Sequence, residues 1–370
     1  MILHLLTDEK FTDYAIAQFS APEMMSEFVF VPSNNMMEHV KLIEQCTIVR
    51  QKSPEFYALL NRLDQYTGII FHGLFWGQWQ TPILQKVPKN VKVAWMFWGG
   101  DIYSRHEFNN LFLAPITRFA NWLHKRKRNI KVSTAWEISL SLFNRIDYCL
   151  TDANEEYMLG KTLIGCRFEH LWYNYYSIEE TIGALADKQC CGSNVLIGNS
   201  SAIKNNHLDV LWRLQKRGLV RCLRDSKVII PLSYGDQWIR NLVIKVGKWM
   251  FENRLLALTD YMPRDEYNAL MLSCSTMIIG YTQPAAQGNI ITALWLGMRV
   301  YLNEKNASYD YFKRIGCKIF SIERDLNRKT PDVFAPMKQE DIDINRMVLR
   351  KWYSKEEMHK RNLEIVKALS

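Results

Sequence analysis

The sequence predicts an α/β protein built from two doubly wound domains that face a cleft. Three observations lead there. Short apolar runs alternate with helical patterns along most of the chain. The runs fall in two blocks separated by a polar stretch near residue 180. And 370 residues are too many for one hydrophobic core.

In the first block, Ile2 to Leu6, Phe28 to Val31, Gly68 to Gly73, Lys92 to Asp101 and Arg145 to Asp152 read as strands. Each is short and apolar, as strands buried on both faces are. Between two of them, "SPEFYALLNRLDQY" reads as a helix with Ser53 as N-cap and Pro54 as its first residue. In the second block the strands are Asn194 to Ser200, Lys227 to Gly235, Arg254 to Met262, Ser275 to Thr282 and Arg299 to Glu304. Helical patterns such as "HLDVLWRLQKRG" and "QWIRNLVIKVGKWMF" separate them. The expected division is residues 1–180, residues 181–340 and a charged helical tail, 341–370.

A hydrophobic fraction of 48% marks a folded chain, and no apolar run reaches the length of a membrane span. Met1 to Leu6 is too short for the core of a signal peptide. The eight cysteines are scattered without a C-x-x-C, so neither a zinc site nor a disulfide framework is expected, and the chain reads as a reducing, cytoplasmic protein. Part of the formal charge of +9 is concentrated in Lys125, Arg126, Lys127, Arg128 and Lys131. These follow Leu111, Phe112, Leu113, Ile116, Phe119, Trp122 and Leu123. A basic amphipathic stretch with aromatic residues predicts that residues 111–131 lie on an anionic membrane surface; its bland alternative is an ordinary helix with a solvated basic end. No nucleic-acid-binding motif accompanies the charge, so nucleic acid is not an expected partner.

Parallel sheets bind ligands beyond the carboxyl ends of their strands. Four polar loops stand there. His72 and Gly73 follow one strand, and Gly99, Gly100, Asp101 and Tyr103 follow another. In the second block, Gly198, Asn199, Ser200 and Ser201 follow a strand and precede a helix, as do Gln287, Gly288, Asn289 and Ile290. Two helix starts with glycine and amide residues suit a diphosphate, because backbone N–H groups and the helix dipole converge there. The same residues also serve as tight turns and caps, the bland reading of each taken singly. Neither loop is a Walker sequence or G-x-G-x-x-G, which disfavours ATP hydrolysis and redox dinucleotides. No cofactor and no metal are expected: the only D-x-D, Asp341-Ile342-Asp343, lies in the tail and reads as helix capping.

"FHGLFW", "FWGGDIY", "LIGNSSAIKNNHLDVL", "IIPLSYG", "EYNALMLSCSTMIIGY", "QGNIITALWLG" and "VYLNEKN" together resemble glycosyltransferase family 56, the TDP-N-acetylfucosamine:lipid II N-acetylfucosaminyltransferases. The matching stretches span about residue 70 to residue 310. The resemblance implies the glycosyltransferase B architecture, with an acceptor-side, membrane-facing first domain and a nucleotide-sugar-binding second domain. It implies a TDP-sugar donor, a polyprenyl-diphosphate-linked saccharide acceptor and a place at the cytoplasmic membrane face. Two departures stand out: Gly100, where alanine is expected, and the basic insertion reaching Lys131.

A metal-free sugar transfer needs the leaving diphosphate stabilised, here by Gly198 to Ser201 and Gln287 to Ile290. It needs the acceptor hydroxyl positioned, and deprotonated by His72 or Asp101 if configuration inverts. Tyr234, Gly235 and Tyr261 are expected near the nucleoside. No carboxylate lies between Gln283 and Leu294, which fits a deoxyribose and hence TDP. A sugar-nucleotide epimerase of similar build, or a non-catalytic nucleotide-sugar-binding protein, are the alternatives.

Overall fold

The computed structural model describes residues 1–32, 39–75, 77–128, 137–223 and 225–370. They cluster into two compact units. Unit 1 comprises Met1–His106, Val132–Ser177 and Tyr353–Ser370; unit 2 comprises Glu107–Lys131 and Ile178–Trp352. The chain thus passes from one unit to the other close to residue 180, but two segments depart from the expected division. Residues 107–131 group with unit 2, although they precede the boundary by some fifty positions. The tail divides at Trp352/Tyr353, so only its last helix belongs to unit 1.

Unit 1 holds strands β1 (Ile2–Leu6), β2 (Ser26–Phe30), β3 (Thr47–Ile48), β4 (Gly68–Phe71), β5 (Lys92–Met96), β6 (Tyr148–Leu150) and β7 (Glu169–Leu171). They form one parallel sheet in the order β3-β2-β1-β4-β5-β6-β7. Unit 2 holds β8 (Asn194–Ile197), β9 (Val228–Pro231), β10 (Leu255–Leu258), β11 (Cys274–Ile279), β12 (Arg299–Leu302) and β13 (Phe320–Ser321). Its parallel sheet has the order β10-β9-β8-β11-β12-β13. In each sheet the order reverses once, between β1 and β4 and between β8 and β11. Those are the switch points where α/β sheets open a crevice.

All ten expected strands are present. β1 has the expected bounds, and the other nine end before the stretches read for them do. The helix after Ser53 starts at Pro54 as expected, with the Ser53 hydroxyl accepting from the Phe56 N–H at 3.3 Å. Asp341 and Asp343 lie inside the helix Gln339–Tyr353, in its opening turns, rather than capping it from outside. All eight cysteines are free thiols.

The last helix, Lys355–Leu369, closes the core of unit 1. Ile365, Val366 and Leu369 join Ile2, Phe28, Phe30 and Ile70 in one buried cluster. A Cβ on Gly68 would lie 2.6 Å from the Leu369 Cβ, so the helix is seated where the strand has no side chain. Leu369→Ala should therefore cost about 2–5 kcal/mol, the usual range for emptying a buried leucine site. Urea unfolding measures it, and a loss under about 1 kcal/mol would show that the tail does not complete this core.

Candidate functional site

Beyond the carboxyl ends of unit 2's strands, three loops are tied together. Gly198, at φ +70°, donates its N–H to the Ile278 carbonyl at 2.8 Å, joining the turn after β8 to β11. Ser201 donates to the Tyr234 carbonyl through its N–H at 2.8 Å and its hydroxyl at 2.7 Å, joining it to the turn after β9. Gly235 packs so closely there that a Cβ would lie 2.5 Å from the Ala202 nitrogen, and its φ of +112° favours glycine independently. The Asn199 amide donates to the Tyr234 hydroxyl at 3.4 Å, and Ser200 Oγ lies 3.4 Å from the Tyr281 hydroxyl. Gly198, Asn199, Ser200, Ser201, Tyr234 and Gly235 are thus brought together. Tyr261 is not: it is 86% exposed on the turn after β10.

The expected fan of N–H groups is largely spent within the protein. The Ala202 N–H goes to Ser200 Oγ and the Ile203 N–H to Asp236 Oδ2. The helix His207–Lys216 does not begin at the loop at all, because a 3-10 turn, Ile203–Asn205, intervenes. Its start is covered by the chain itself. The Asn206 side chain accepts from the Ala114 N–H at 2.8 Å and donates to the Phe112 and Gly280 carbonyls. Of the two helix starts expected at a diphosphate, this one is closed. The other is open. In the helix Gln287–Trp295, Gln287, Gly288 and Asn289 are half-buried, and a side chain on Gly288 would meet nothing within 4 Å. Ile290 turns into the core.

One charged and one amide residue complete the loops and escaped sequence reasoning. Lys204, only 8% exposed, is held down to a pKa of about 8 by burial, against the pull of the nearby Asp236 carboxylate. A single lysine in a polar loop gives no periodic signal, and its burial is a tertiary fact. Gln283, also buried, has an Oε1 without a partner among the described residues.

In unit 1 the loops after β4 and β5 meet. Asp101, 1% exposed, accepts through Oδ2 from the Trp95 indole at 2.7 Å and from the Leu74 N–H at 3.4 Å. Its Oδ1 is buried without a partner among the described residues. Burial raises its pKa to about 7, opposed by the Trp95 indole and backbone N–H groups. Nearby, Glu156 is raised to about 8, first by burial and then by Asp152. His72 is 4% exposed and held down at about 3 by burial. Its Nε2 lies 3.1 Å from His4 Nδ1 and its Nδ1 lies 3.1 Å from the Tyr175 hydroxyl. With both ring nitrogens engaged, His72 has none left for a substrate proton, and the expectation of a base on this unit narrows to Asp101.

The stretch read as one amphipathic face divides into two. The helix Pro115–Arg128 lies on unit 2, with Ile116 and Ala120 packed on its core and Phe112 and Leu113 buried just before it. Asp209 caps it, accepting from the Ile116 and Thr117 N–H groups at 2.9 Å each. The outward side carries Leu111, Phe119, Trp122 and Leu123, 38–60% exposed. Phe119 stacks on Trp122 at 5.9 Å, and Arg126 lies over the same indole at 5.4 Å. Lys131 lies outside the described residues, as does the Arg128 side chain. Among the described residues, no helix is long and apolar enough to cross a membrane.

No family model and no curated protein matches the chain in sequence. Solved structures do match it over its whole length. A glycosyltransferase from Rickettsia africae superposes with a TM-score of 0.61 at 11% identity, covering 100% of this chain and 98% of that one. A Thermobaculum terrenum O-GlcNAc transferase gives 0.58 at 12% identity, covering 100% of this chain and 67% of that one. A UDP-forming α,α-trehalose-phosphate synthase from Burkholderia vietnamiensis gives 0.59 at 7% identity, covering 100% of both chains. At such identities the likeness establishes the fold, two parallel-sheet α/β domains of the glycosyltransferase B type.

The Asp101 carboxyl predicts a signed pH effect. Its folded pKa, about 7, stands above its ordinary value of 3.8, so its contribution to stability is full below about pH 4 and lost as pH rises through 7. Asp101→Asn cannot ionise. In thermal unfolding, the variant's melting temperature should gain on that of the wild type between pH 5 and pH 8. A gap that stays constant, or moves the other way, would mean the carboxyl is not held neutral by burial.

Proposed function

We propose that this chain is a glycosyltransferase. It transfers a sugar, N-acetylfucosamine by the family resemblance, from a TDP-sugar to a polyprenyl-diphosphate-linked saccharide at the cytoplasmic membrane face, in the assembly of a surface polysaccharide. The observation that carries the reading is the open start of the helix Gln287–Trp295 on the same sheet edge as the Gly198 to Ser201 turn, flanking the β8/β11 switch point. The fold shared with known glycosyltransferases supports it.

In this reading unit 2 holds the donor. The Gly288 and Asn289 N–H groups face the diphosphate with the helix dipole behind them. Lys204 supplies the positive charge, and Tyr234 flanks the nucleoside. The trehalose-phosphate synthase is UDP-forming, which favours a nucleoside diphosphate as leaving group here too. The absence of a carboxylate between Gln283 and Leu294 favours TDP. On unit 1, Asp101 Oδ1 takes the proton of the acceptor hydroxyl as its oxygen bonds the anomeric carbon. The bond from that carbon to the diphosphate oxygen breaks, and the electron pair leaves with the diphosphate. A carboxyl with a pKa near 7 is well matched to that proton transfer. The diphosphate charge is met by backbone dipoles and Lys204, so no metal is required.

Calorimetry with TDP, UDP and GDP, followed by turnover with the matching sugars and a polyprenyl-linked acceptor, tests this reading. TDP should bind, turnover should survive EDTA, and Lys204→Met should weaken TDP about tenfold or more, the usual worth of a charged hydrogen bond. No binding of any of the three would refute the donor site. Abolition by EDTA with rescue by magnesium would refute the metal-free reading.

Access to a lipid acceptor falls to the outward side of the helix Pro115–Arg128. Indoles settle at the membrane interface, and each lysine or arginine near an anionic surface contributes about 1 kcal/mol that salt screens. The chain should sediment with anionic vesicles at low salt, and less at high salt or with Lys125, Arg126 and Lys127 changed to glutamine. Equal sedimentation with neutral vesicles would return this helix to an ordinary solvated surface.

A further inference from the structure

Six aromatic rings stand beyond the carboxyl ends of unit 1's strands, unused by the chemistry above: Phe11, Tyr14, Phe75, Trp98, Tyr175 and Tyr176. Trp98 packs edge-on to Phe11 at 5.1 Å and to Tyr175 at 5.8 Å, and tilted on Phe75 at 5.3 Å. Phe11 stacks on Tyr175 at 5.1 Å. Trp98, Phe75, Phe11 and Tyr176 remain half-exposed. The rings come from the loops after β1, β4, β5 and β7 and, for Tyr14, from the helix Thr12–Phe19 that follows β1, and they gather around the β1/β4 switch point. Glycines make room for them. A Cβ on Gly73 would lie 2.8 Å from the Phe75 ring, and one on Gly100 would lie 3.0 Å from it.

The ledge is held from beneath by a chain of hydrogen bonds with one order that gives every proton an acceptor. At one end, the Trp98 indole can only donate, and does so to the Tyr175 hydroxyl oxygen at 2.7 Å. At the other end, the Met24 carbonyl can only accept, from the Ser26 hydroxyl at 3.2 Å. Ser26 Oγ, having given its proton to Met24, accepts from His4 Nε2–H at 3.0 Å. Neutral His4 then has a bare Nδ1, which accepts from His72 Nε2–H. His72 in turn has a bare Nδ1, which accepts from the Tyr175 O–H. Every donor finds an acceptor only in this one-way order, and only with both imidazoles neutral in the Nε2–H form. Burial, which holds both histidines well below their ordinary pKa, keeps them neutral.

We propose that this ledge is a pyranose-stacking subsite for the acceptor saccharide, with His4 and His72 as positioning residues that set Tyr175 and Trp98 through the one-way chain. The inference rests on the glycosyl-transfer reading above. A sugar ring is the ligand whose chemistry fits: its C–H face covers an indole, while its hydroxyls need a polar rim. The Leu74 and Asp101 loops supply that rim, and Asp101 Oδ1 is buried there without a partner among the described residues. Small-molecule sites of this composition concentrate at switch points.

The test uses the full chain labelled with 15N-histidine and methyl N-acetyl-α-D-glucosaminide as a soluble pyranoside probe. At pH 7 the His4 and His72 ring shifts, assigned by His→Gln variants, should both report Nε2–H tautomers; an Nδ1–H or charged form of either overturns the chain. Saturation-transfer NMR should show the glycoside on the wild type. Binding should fall at least tenfold in Trp98→Ala and several-fold in Tyr175→Phe, which keeps the ring and removes only the hydroxyl. TDP affinity should be unchanged in both variants. No glycoside binding by the wild type, or equal binding by both variants, overturns the subsite. Glycoside binding without any TDP binding would overturn the donor reading and leave the ledge standing.

Discussion

Every loop at the carboxyl edge of a parallel sheet must satisfy its own buried polar groups before it can offer any to a ligand. That requirement organises both units. In unit 2 it consumes most of the N–H groups between Gly198 and Ile203, which go to Ile278, Tyr234, Ser200 and Asp236. It also closes the start of the helix His207–Lys216 under Asn206 and the segment before Pro115. In unit 1 it uses both nitrogens of His72 and one oxygen of Asp101. What is left over is small and specific: the open helix start at Gly288, one carboxylate oxygen of Asp101 and a set of half-exposed rings.

The fold was legible because its signal is local. Ten short apolar runs become ten parallel strands, since a strand covered on both faces needs only a run of apolar residues. The three strands that escaped, β3, β7 and β13, have two or three residues each, and all three stand at sheet edges, where burial writes little into the sequence. Glycines soon after apolar runs also stand in turns, at Gly73, Gly99, Gly198 and Gly235, all at positive φ. The site was legible only as a set of loops. Whether a donor in a loop faces a ligand or a neighbouring carbonyl depends on contacts across tens of residues, as Ser201 with Tyr234 and Asn206 with Phe112 show. The roles of Lys204, His4 and Tyr175 come from burial and partners that no periodicity encodes.

The helix Pro115–Arg128 shows the same limit from the other side. Its apolar residues were read as one face because they are all apolar, yet three dimensions give them opposite duties. Ile116 and Ala120 anchor the helix to unit 2, while Phe119, Trp122 and Leu123 look out beside Lys125 and Arg126. An ordinary surface helix hides its aromatic residues and exposes its charges. This one exposes a stacked aromatic pair under an arginine, the feature on which the proposed contact with a membrane surface rests. Asp209 fixes its first turn, so the exposed side is presented by a rigid support.

Gly100, where the family resemblance leads one to expect alanine, stands against an aromatic ring. An alanine Cβ there would press on Phe75 at 3.0 Å, so glycine lets the ring approach closely. Phe75 in turn packs on Trp98, whose far edge is tethered through Tyr175 and the two histidines to Met24. A backbone position without a side chain and a buried polar chain therefore act on the same ring from opposite sides. A half-exposed tryptophan held this way has few alternative rotamers, and little conformational entropy remains to be lost when a ligand covers it. Pre-organisation of that kind separates a surface that merely contains aromatic residues from one built to receive a ring.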